Sequence, residues 1–561
     1  MILYPSKIYF HFRNRFPGIT IPFIFIFWNS LLSCTGKPLN MNMKVSRQQI
    51  PVLVNVQGNQ VMVLEIRPED PGTYTVNSIS LSLKGSTLAD IKAISVFISG
   101  ENGNPDKQYG ETLSPAMKLV FKEKTTLSDT ARFKVMVELV PEASLYGRIM
   151  VLPQSVNTDR GQLKTEMERS PNPLRIALAL RRHMDDDVHT YRIPGLATTP
   201  KGTLLAVYDV RRDSSRDLQG DMDIGLSRSI DGGRTWEPMR IVLDMNEWGG
   251  LPEKFNGVSD ACILVDKSTN DIYVAGLWMH GVLDQEGKWI PDLTEDSDAW
   301  EHQWRGRGSQ SGFDVKKTSQ FLITKSTDDG VTWSEPRNLT RMCKKEEWWL
   351  WAPAPGQGIT LSDGTLVFPT QGRDENGQTF SNLTFSVDGG ENWETSSPAF
   401  KNTTENMVVQ LANGDLMLNA RYNLNRNNPG NDNGRVVVTT SDLGQTWTEH
   451  PTSRSALIES TCMASLHKHV YHENGVKKSI LLFSNPNTKT GRNHMTIKVS
   501  FDDGLTWPEG YWMLLDEGNS RGYSCITSID ENTIGILYEG SRADMVFESI
   551  PLREILDPDT R

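Results

Sequence analysis

The sequence predicts an all-β protein in which a six-bladed β-propeller follows a small β-sandwich. Three observations lead there. Short runs of alternating apolar and polar residues, separated by turn clusters, fill the stretch from about Val45 to Met150. A Ser/Thr-x-Asp-x-Gly-x-x-Trp box then recurs five times between Ser229 and Trp507. The 561 residues are enough for one large repeat fold plus a smaller module. Composition excludes other classes. Asp and Glu (69) outnumber Lys and Arg (58), a net charge of −11 that argues against binding nucleic acid, where a basic face must meet phosphates. With 37% hydrophobic residues and 15 Trp the chain is not broadly disordered.

The first element, residues 1–34, reads as an export signal. Lys7, Arg13 and Arg15 precede an apolar run from Ile19 to Leu32, too short to span a bilayer comfortably but suited to a signal peptide. Pro17 and Pro22 argue against a buried helix. The run ends in Leu31-Leu32-Ser33-Cys34, which resembles a bacterial lipoprotein box with Cys34 as the lipid-anchored residue. Leu32 is unusual one place before the small residue, so ordinary signal-peptidase cleavage stays open. Either route exports the protein, to the periplasm, the outer membrane or the exterior. The other four cysteines (262, 343, 462 and 525) are too scattered for a disulfide framework, and no C-x-x-C pair suggests zinc.

Residues 40–155 form the predicted sandwich. Val52–Val56, Gln60–Leu64, Ala93–Ile98 and Phe133–Leu139 alternate with period 2, and Asp70-Pro71-Gly72 and Glu101–Asn104 are turns. This module holds no constellation of acids, His or Cys that carries chemistry; binding carbohydrate and acting as a structural spacer are equally open. A polar stretch follows, giving a linker at 156–175 and a second unit at 176–561. In that unit the boxes begin at Ser229, Ser326, Ser386, Thr440 and Ser500 and end at Trp236, Trp333, Trp393, Trp447 and Trp507. Each reads as a hairpin turn: Asp caps backbone N–H groups, Gly takes positive φ and Trp packs under neighbouring strands. One such sheet cannot bury both faces, so the units must pack radially. Repetition argues that the boxes are structural, because a propeller usually has one site, at its axis.

The five boxes resemble the Asp-box repeats of bacterial sialidases. Other segments strengthen the likeness: Tyr191-Arg192-Ile193-Pro194 resembles the motif that opens their catalytic domain, and Gly522–Cys525 and Leu537-Tyr538-Glu539 resemble its closing motifs. The resemblance covers roughly His189 to the C-terminus. It implies a retaining exo-α-sialidase with an arginine triad of Arg192, Arg421 and Arg492. Glu539 is implied as the acid that orients the first of these, Tyr523 as the nucleophile and Glu405 as its base. Asp217, six residues after Arg211, is implied as the acid/base, and Arg211 and Asp260 as contacts to the sugar's ring substituents. Ser259 stands before Asp260 where relatives often carry Met, which leaves the N-acyl pocket undefined. The implied partners are sialylated glycans of glycoproteins, glycolipids and oligosaccharides, with no metal or organic cofactor.

Chemistry supports this set independently of the likeness. Sialic acid carries a carboxylate on its anomeric carbon, and arginines offer fixed, permanently charged forks to bind it. A carboxylate nucleophile would face that carboxylate, whereas a neutral tyrosine would not. A phenol with pKa of about 10 needs a neighbouring base, and the departing oxygen needs an acid. A non-catalytic sialic-acid-binding propeller would need the arginines but not Tyr523, Glu405 and Asp217, and a trans-sialidase would use the same site. Trp278, the run Trp348-Trp349-Leu350-Trp351 and the insertion from Gly281 to Lys316, with Trp289, Trp300 and Trp304, are candidates for a pocket wall or for packing.

Overall fold

The computed structural model describes residues 41–69, 72–100, 105–164, 171–218, 220–249, 253–280, 309–315 and 317–561. The segment ending at Cys34 and most of the insertion after Gly281, with its three Trp, lie outside these residues. Among the described residues the chain is built of strands, with two short α-helices at Thr340–Cys343 and Leu552–Leu556.

The alternating N-terminal sequence forms two antiparallel sheets. One orders Met41–Ser46, Asn59–Pro68, Ala131–Leu139, Ile91–Ile98 and Lys107–Gln108; the other orders Gly161–Lys164, Leu152–Thr158, Tyr74–Ser82 and Lys118–Leu127. In Ala131–Leu139 the period of 2 buries Phe133, Val135 and Val137. Arg132 and Lys134 point the other way, to Glu65 and Asp106. The inward residues share one apolar core with Tyr74, Val76, Ile79 and Phe121 of the second sheet. Each such side chain contributes about 1.5–3 kcal/mol.

Residues 155–164, expected from their polarity to lie in and beside a linker, are instead a hairpin, with Ser155 opposite Lys164 and Thr158 opposite Gly161. As an edge hairpin it buries only Val156 and Thr158, so it has almost no apolar signal to show. The two regions are also tied together. Val52–Val54 leaves the first and pairs in parallel with Leu174–Arg181, Val52 opposite Ile176. Beside it Arg175 is buried between Glu548 (2.6 Å) and Glu554 (2.5 Å), with Arg148 on Glu554 as well (2.5 Å). The expected boundary at 175/176 therefore falls inside a shared sheet.

From Thr190 onward the chain makes successive antiparallel units. The first runs through Thr190–Thr198, Leu204–Arg211, Met222–Ser229 and Arg240–Leu243, and the second through Asn256–Val265, Ile272–His280, Gln320–Ser326 and Arg337–Asn338. A parallel bridge from Met222 to Gly257 joins these two. The third has Leu350–Pro353, Leu366–Arg373, Thr379–Ser386 and Glu394–Thr395; the fourth has Thr403–Gln410, Leu416–Tyr422, Val436–Thr440 and Thr448–Glu449. The fifth has Ser465–Glu473, Val476–Pro486, Met495–Ser500 and Met513–Asp516. The sixth takes Ser524–Asp530, Thr533–Tyr538 and Met545–Pro551 from the C-terminus and adds Leu174–Arg181 from before the first. Successive units touch in order, and Ser524–Asp530 packs on Thr190–Thr198.

Each box is the turn between the third and fourth strands of its unit. In all five the Ser or Thr hydroxyl accepts from the Gly N–H at 2.9 Å and donates to the box Asp. The Asp accepts from the N–H four residues on. Hydrogen bonds from Thr332 and Thr446 hold Asp328 and Asp442 at about 2. Two of these Trp reach the preceding unit: Trp236 meets Phe547 at 5.1 Å and Trp393 meets Tyr273 at 6.0 Å, ring centre to ring centre. Gly233 is required twice over, since its φ is +87° and a Cβ there would lie 2.3 Å from the Phe547 ring. Gly233→Ala should therefore lower the melting temperature far more than Gly202→Ala, whose φ of +84° is similar but whose Cβ meets nothing within 4 Å. The difference should be about 1–3 kcal/mol, the scale of overpacking, in denaturant unfolding. Equal losses would show that the box does not pack as described.

Candidate active site

Because each unit is antiparallel, the start of its first strand lies beside the end of its second. Arg192 and Asp260 lie in first strands, and Glu405 near the start of Thr403–Gln410 sits by Arg421 near the end of Leu416–Tyr422. Tyr523 immediately precedes Ser524–Asp530, Glu539 immediately follows Thr533–Tyr538, and Arg492 lies in the loop after Val476–Pro486. Residues hundreds of positions apart thus gather at one end of the sheets. The first strands are irregular where they meet, with register shifts between Arg192 and Gly195, Ser259 and Cys262, and Thr403 and Asn406. Such bulges re-aim side chains. Ile193 (+60°), Asp260 (+60°), Leu218 (+52°) and Thr461 (+57°) take the left-handed conformation, at about 1–2 kcal/mol each, and all four line the cavity formed here.

The cavity has a volume of 530 Å³. Seven of the nine residues expected from the sequence line it: Arg192, Asp217, Asp260, Glu405, Arg421, Arg492 and Tyr523. Arg211 and Glu539 stand behind them. Tyr523 is the centre. Its hydroxyl donates to Glu405 Oε1, and Arg421 Nη1 approaches both Glu405 Oε2 (2.5 Å) and the Tyr523 oxygen (3.3 Å). The Arg192 and Arg492 guanidiniums lie 5.2 and 5.5 Å from the tyrosine ring centre. Glu539 accepts from Arg192 Nε (2.8 Å) and Nη2 (3.3 Å) and from the N–H groups of Ile193 (3.2 Å) and Tyr523 (2.9 Å). Arg492 is held by carbonyl oxygens, of Arg521 at 2.7 Å and Thr461 at 3.4 Å.

Burial, reinforced by Glu405, pushes the Tyr523 phenol well above its usual 10, so it is neutral at physiological pH. Burial opposes the charge on Glu539 but is outweighed by Arg192 and the two N–H groups, which hold it below the usual carboxylate range. Burial likewise works against Asp217, yet Arg211, Arg192 and Arg492 keep its carboxyl below the ordinary value. Asp217 receives Arg211 Nη1 at 2.5 Å and Arg192 Nη1 at 3.4 Å, and its side chain is 40% exposed. Asp260 accepts a long hydrogen bond from Gln371 (3.4 Å); burial and the charges of Glu405, Asp209 and Asp217 push it well above its usual range. Asp221 and Asp223 pair instead with Arg212, outside the cavity lining, as is Asp213.

Of the tryptophans offered as a pocket wall, Trp278, Trp348 and Trp351 pack elsewhere, and those of the insertion lie outside the described residues. Trp348 and Trp351 are core, Trp351 stacked on Phe321 at 4.2 Å, and from that run Leu350 reaches the cavity. Trp278 is buried against Trp248. The sequence reading missed Asp209 behind Arg211, the buried Arg435–Glu459 pair (2.8 Å) and Arg373 and Arg426 on the cavity wall. Glu459 accepts from the Tyr422 N–H beside Arg421. None of these sits in a recurring motif, so no spacing pointed to them.

The fold and the site define a repeat protein with one arginine-walled cavity, and comparison with known proteins gives the same class. Residues 193–517 match the BNR repeat-like domain and residues 40–162 the N-terminal domain of BNR-repeat neuraminidase. The chain is 39% identical over 543 residues to the "Sialidase" of Bacteroides fragilis (strain YCH46), covering 91% of this chain and 95% of that protein. It is 29% identical to the "Sialidase" of Micromonospora viridifaciens, over 62% of this chain and 50% of that one. Among solved structures, the Hadza microbial sialidase Hz136 superposes with a TM-score of 0.80 at 35% identity, over 91% of this chain and 99% of that chain. The chain belongs to the BNR-repeat neuraminidase family, that is, to the sialidases.

Glu539 is the support of this site, and its removal should be measurable without substrate. Glu539→Gln leaves buried Arg192 with only the 3.4 Å contact to the partly exposed Asp217 and should lower unfolding free energy at pH 7 by about 3 kcal/mol. Because the folded-state pKa is depressed, that stability is present above the unfolded value near 4.3 and disappears as pH falls through the folded one. The penalty should therefore shrink in acid; a penalty independent of pH would show that the ion pair is not its source.

Proposed function

We propose that this chain is a retaining exo-α-sialidase that hydrolyses terminal α-linked sialic acids from glycoproteins, glycolipids and oligosaccharides. In this reading Tyr523 is the nucleophile, Glu405 its base and Asp217 the acid/base. One observation carries it: the Tyr523 hydroxyl donates to Glu405 inside a cavity walled by Arg192, Arg421 and Arg492. A protein that only bound sialic acid would need the arginines and no such pair. The naming of relatives as sialidases supports the same substrate.

The substrate carboxylate binds the three guanidiniums, which places the anomeric carbon over the Tyr523 oxygen. As that oxygen attacks, Glu405 takes the phenolic proton, so no free phenolate is needed despite the raised pKa. The glycosidic bond breaks with proton transfer from Asp217 to the departing oxygen. In the empty site Asp217 is ionised by its arginines. The bound carboxylate offsets Arg192 and Arg492, and the sugar excludes water, so Asp217 gains its proton when it is needed. Water, deprotonated by Asp217, then attacks the anomeric carbon and displaces the Tyr523 oxygen, which takes back its proton from Glu405; two displacements retain the anomeric configuration. Asp260 faces the ring substituents from the cavity wall, and Arg211, behind that wall, acts through Asp217. This chemistry uses no metal or organic cofactor.

The architecture belongs to the same reading. The six antiparallel units are six blades of a β-propeller over 176–561, with the two sheets of 40–155 as a sandwich before it; the order of contacts and the closing strand Leu174–Arg181 support this. Export through residues 1–34 with a lipid on Cys34 completes the reading. If so, the full chain partitions with membranes of a Gram-negative host and Cys34→Ala moves it to the soluble fraction; wild type found wholly soluble would end that assignment.

The mechanism is tested by separating acid from nucleophile. Asp217→Ala should slow cleavage of sialyllactose by about 10²–10⁴-fold but 4-nitrophenyl sialoside much less, because nitrophenolate leaves without a proton. Tyr523→Phe should impair both and still bind a transition-state-like sialic acid analogue. In wild type, NMR should show the α-anomer of free sialic acid first. Equal loss on both substrates for Asp217→Ala would move the acid to Asp213 or Asp221, and initial β-anomer would overturn retention.

A further inference from the structure

We propose that Asp209 is a positioning residue for this reaction: it holds Arg211 from behind and offsets its charge, so that Asp217 can carry the proton the leaving group requires. The proposal rests on Asp217 being the acid.

Asp209 and Arg211 are two residues apart on the strand Leu204–Arg211, so the pleat sends both side chains to one face. Asp209 pairs in register with Arg192 on the neighbouring strand. Its Oδ2 accepts from Arg211 Nε (3.2 Å) and Nη2 (2.8 Å) and from the Ser259 hydroxyl (2.6 Å). The remaining nitrogen of Arg211, Nη1, donates to Asp217 Oδ1 at 2.5 Å and to the Ser215 carbonyl at 2.9 Å. One guanidinium is thus shared between two carboxylates, a buried one on its inner edge and one on the cavity at its outer edge. Asp209 and Arg211 are 0% and 1% exposed, so the inner pairing does not exchange with water. Asp209 Oδ1 has no hydrogen-bond partner among the described residues. A buried carboxylate with one oxygen unused is not the arrangement that stability alone favours.

The charges facing Asp217 are Arg211, Arg192 and Arg492, with the carboxyl of Asp260 also interacting with it. Those facing Asp209 are Arg211 and, further off, Arg192, with the carboxyl of Asp260 nearby. When a substrate carboxylate offsets Arg192 and Arg492, Arg211 is the cation left beside Asp217, and a full positive charge there would strip the proton from the acid. Asp209 supplies the compensating charge from a place no substrate reaches. Burial raises its pKa to about 6 against the pull of Arg211 and Ser259, so it is ionised at neutral pH. Ser259, which departs from the residue expected before Asp260, has its hydroxyl committed to this carboxylate.

The test uses the full chain carrying Asp209→Asn, which keeps the shape and an acceptor for Arg211 while removing the charge. The expected result is that the alkaline limb of the single-turnover rate on saturating sialyllactose, which reports loss of the acid's proton, moves about one pH unit lower. The rate at pH 7 then falls about ten-fold, while 4-nitrophenyl sialoside, which needs no proton, loses less than about three-fold. Ser259→Ala should shift the limb in the same direction by less, and keeps the test available if Asp209→Asn folds poorly. A limb that stays in place in both variants, or equal losses on the two substrates, overturns the proposal. Asp217→Ala in parallel separates the readings. If it shows the leaving-group split and the Asp209 and Ser259 variants do not, only the role of Asp209 falls; if it shows no split, the acid assignment and this proposal fall together.

Discussion

One carboxylate, Glu539, holds the site together. Its two oxygens receive the Arg192 side chain and the N–H groups of Ile193 and Tyr523, groups from the first unit and from the start of the last. Residues 347 positions apart in Arg192 and Glu539 are fixed relative to one another by charge-assisted hydrogen bonds in a buried setting, where geometry is held most tightly. The same carboxylate makes burial of Arg192 tolerable, because an unpaired guanidinium would be strongly disfavoured there. Tyr523 and Arg192 owe their mutual placement to it.

Around that contact the charges are already paired. Arg421 sits on Glu405, Arg192 on Glu539, and Arg211 between Asp209 and Asp217. Arg492 differs, being held by two carbonyl oxygens that fix its direction without cancelling its charge. The site is thus preorganised, and of the three arginines Arg192, Arg421 and Arg492 the last alone hydrogen-bonds no carboxylate among the described residues. Little reorganisation is required when a carboxylate arrives, which is the condition under which fixed charges act most strongly.

The repeat and the site divide the labour. The five boxes hold the turns where the third strand passes to the fourth, Trp236 and Trp393 lodge against the preceding unit, and no box aspartate lines the cavity. Most of the residues that line the cavity sit at the starts of first strands and near the ends of second strands, where bulges and left-handed residues turn side chains inward. Regular packing elsewhere stabilises that local strain. The N-terminal sheets contribute as well: Val52–Val54 extends the sheet of the last unit, and Arg148 and Arg175 meet Glu548 and Glu554 there.

Much was legible in the sequence because it rests on local patterns. Period-2 alternation marked strands such as Ala131–Leu139, and the boxes repeat a turn in which the Ser or Thr hydroxyl, the Asp and the Gly N–H bond within five residues. Arg192 in Tyr-Arg-Ile-Pro, Tyr523 in Gly-Tyr-Ser-Cys and Glu539 in Leu-Tyr-Glu stood out by resemblance to short sialidase motifs rather than by periodicity. What the sequence could not show depends on partners far away along the chain. The polar run 155–164 is a strand pair only because a sheet edge is there to receive it, and Trp348 and Trp351 are core only because Phe321 and Phe380 come to meet them. Asp209 is one aspartate among several until the pleat sets it behind Arg211 and the next unit brings Ser259 against it. Local hydrogen bonding and side-chain periodicity are written in neighbouring residues; charge compensation and burial are properties of position in space, and only the tertiary structure decided them.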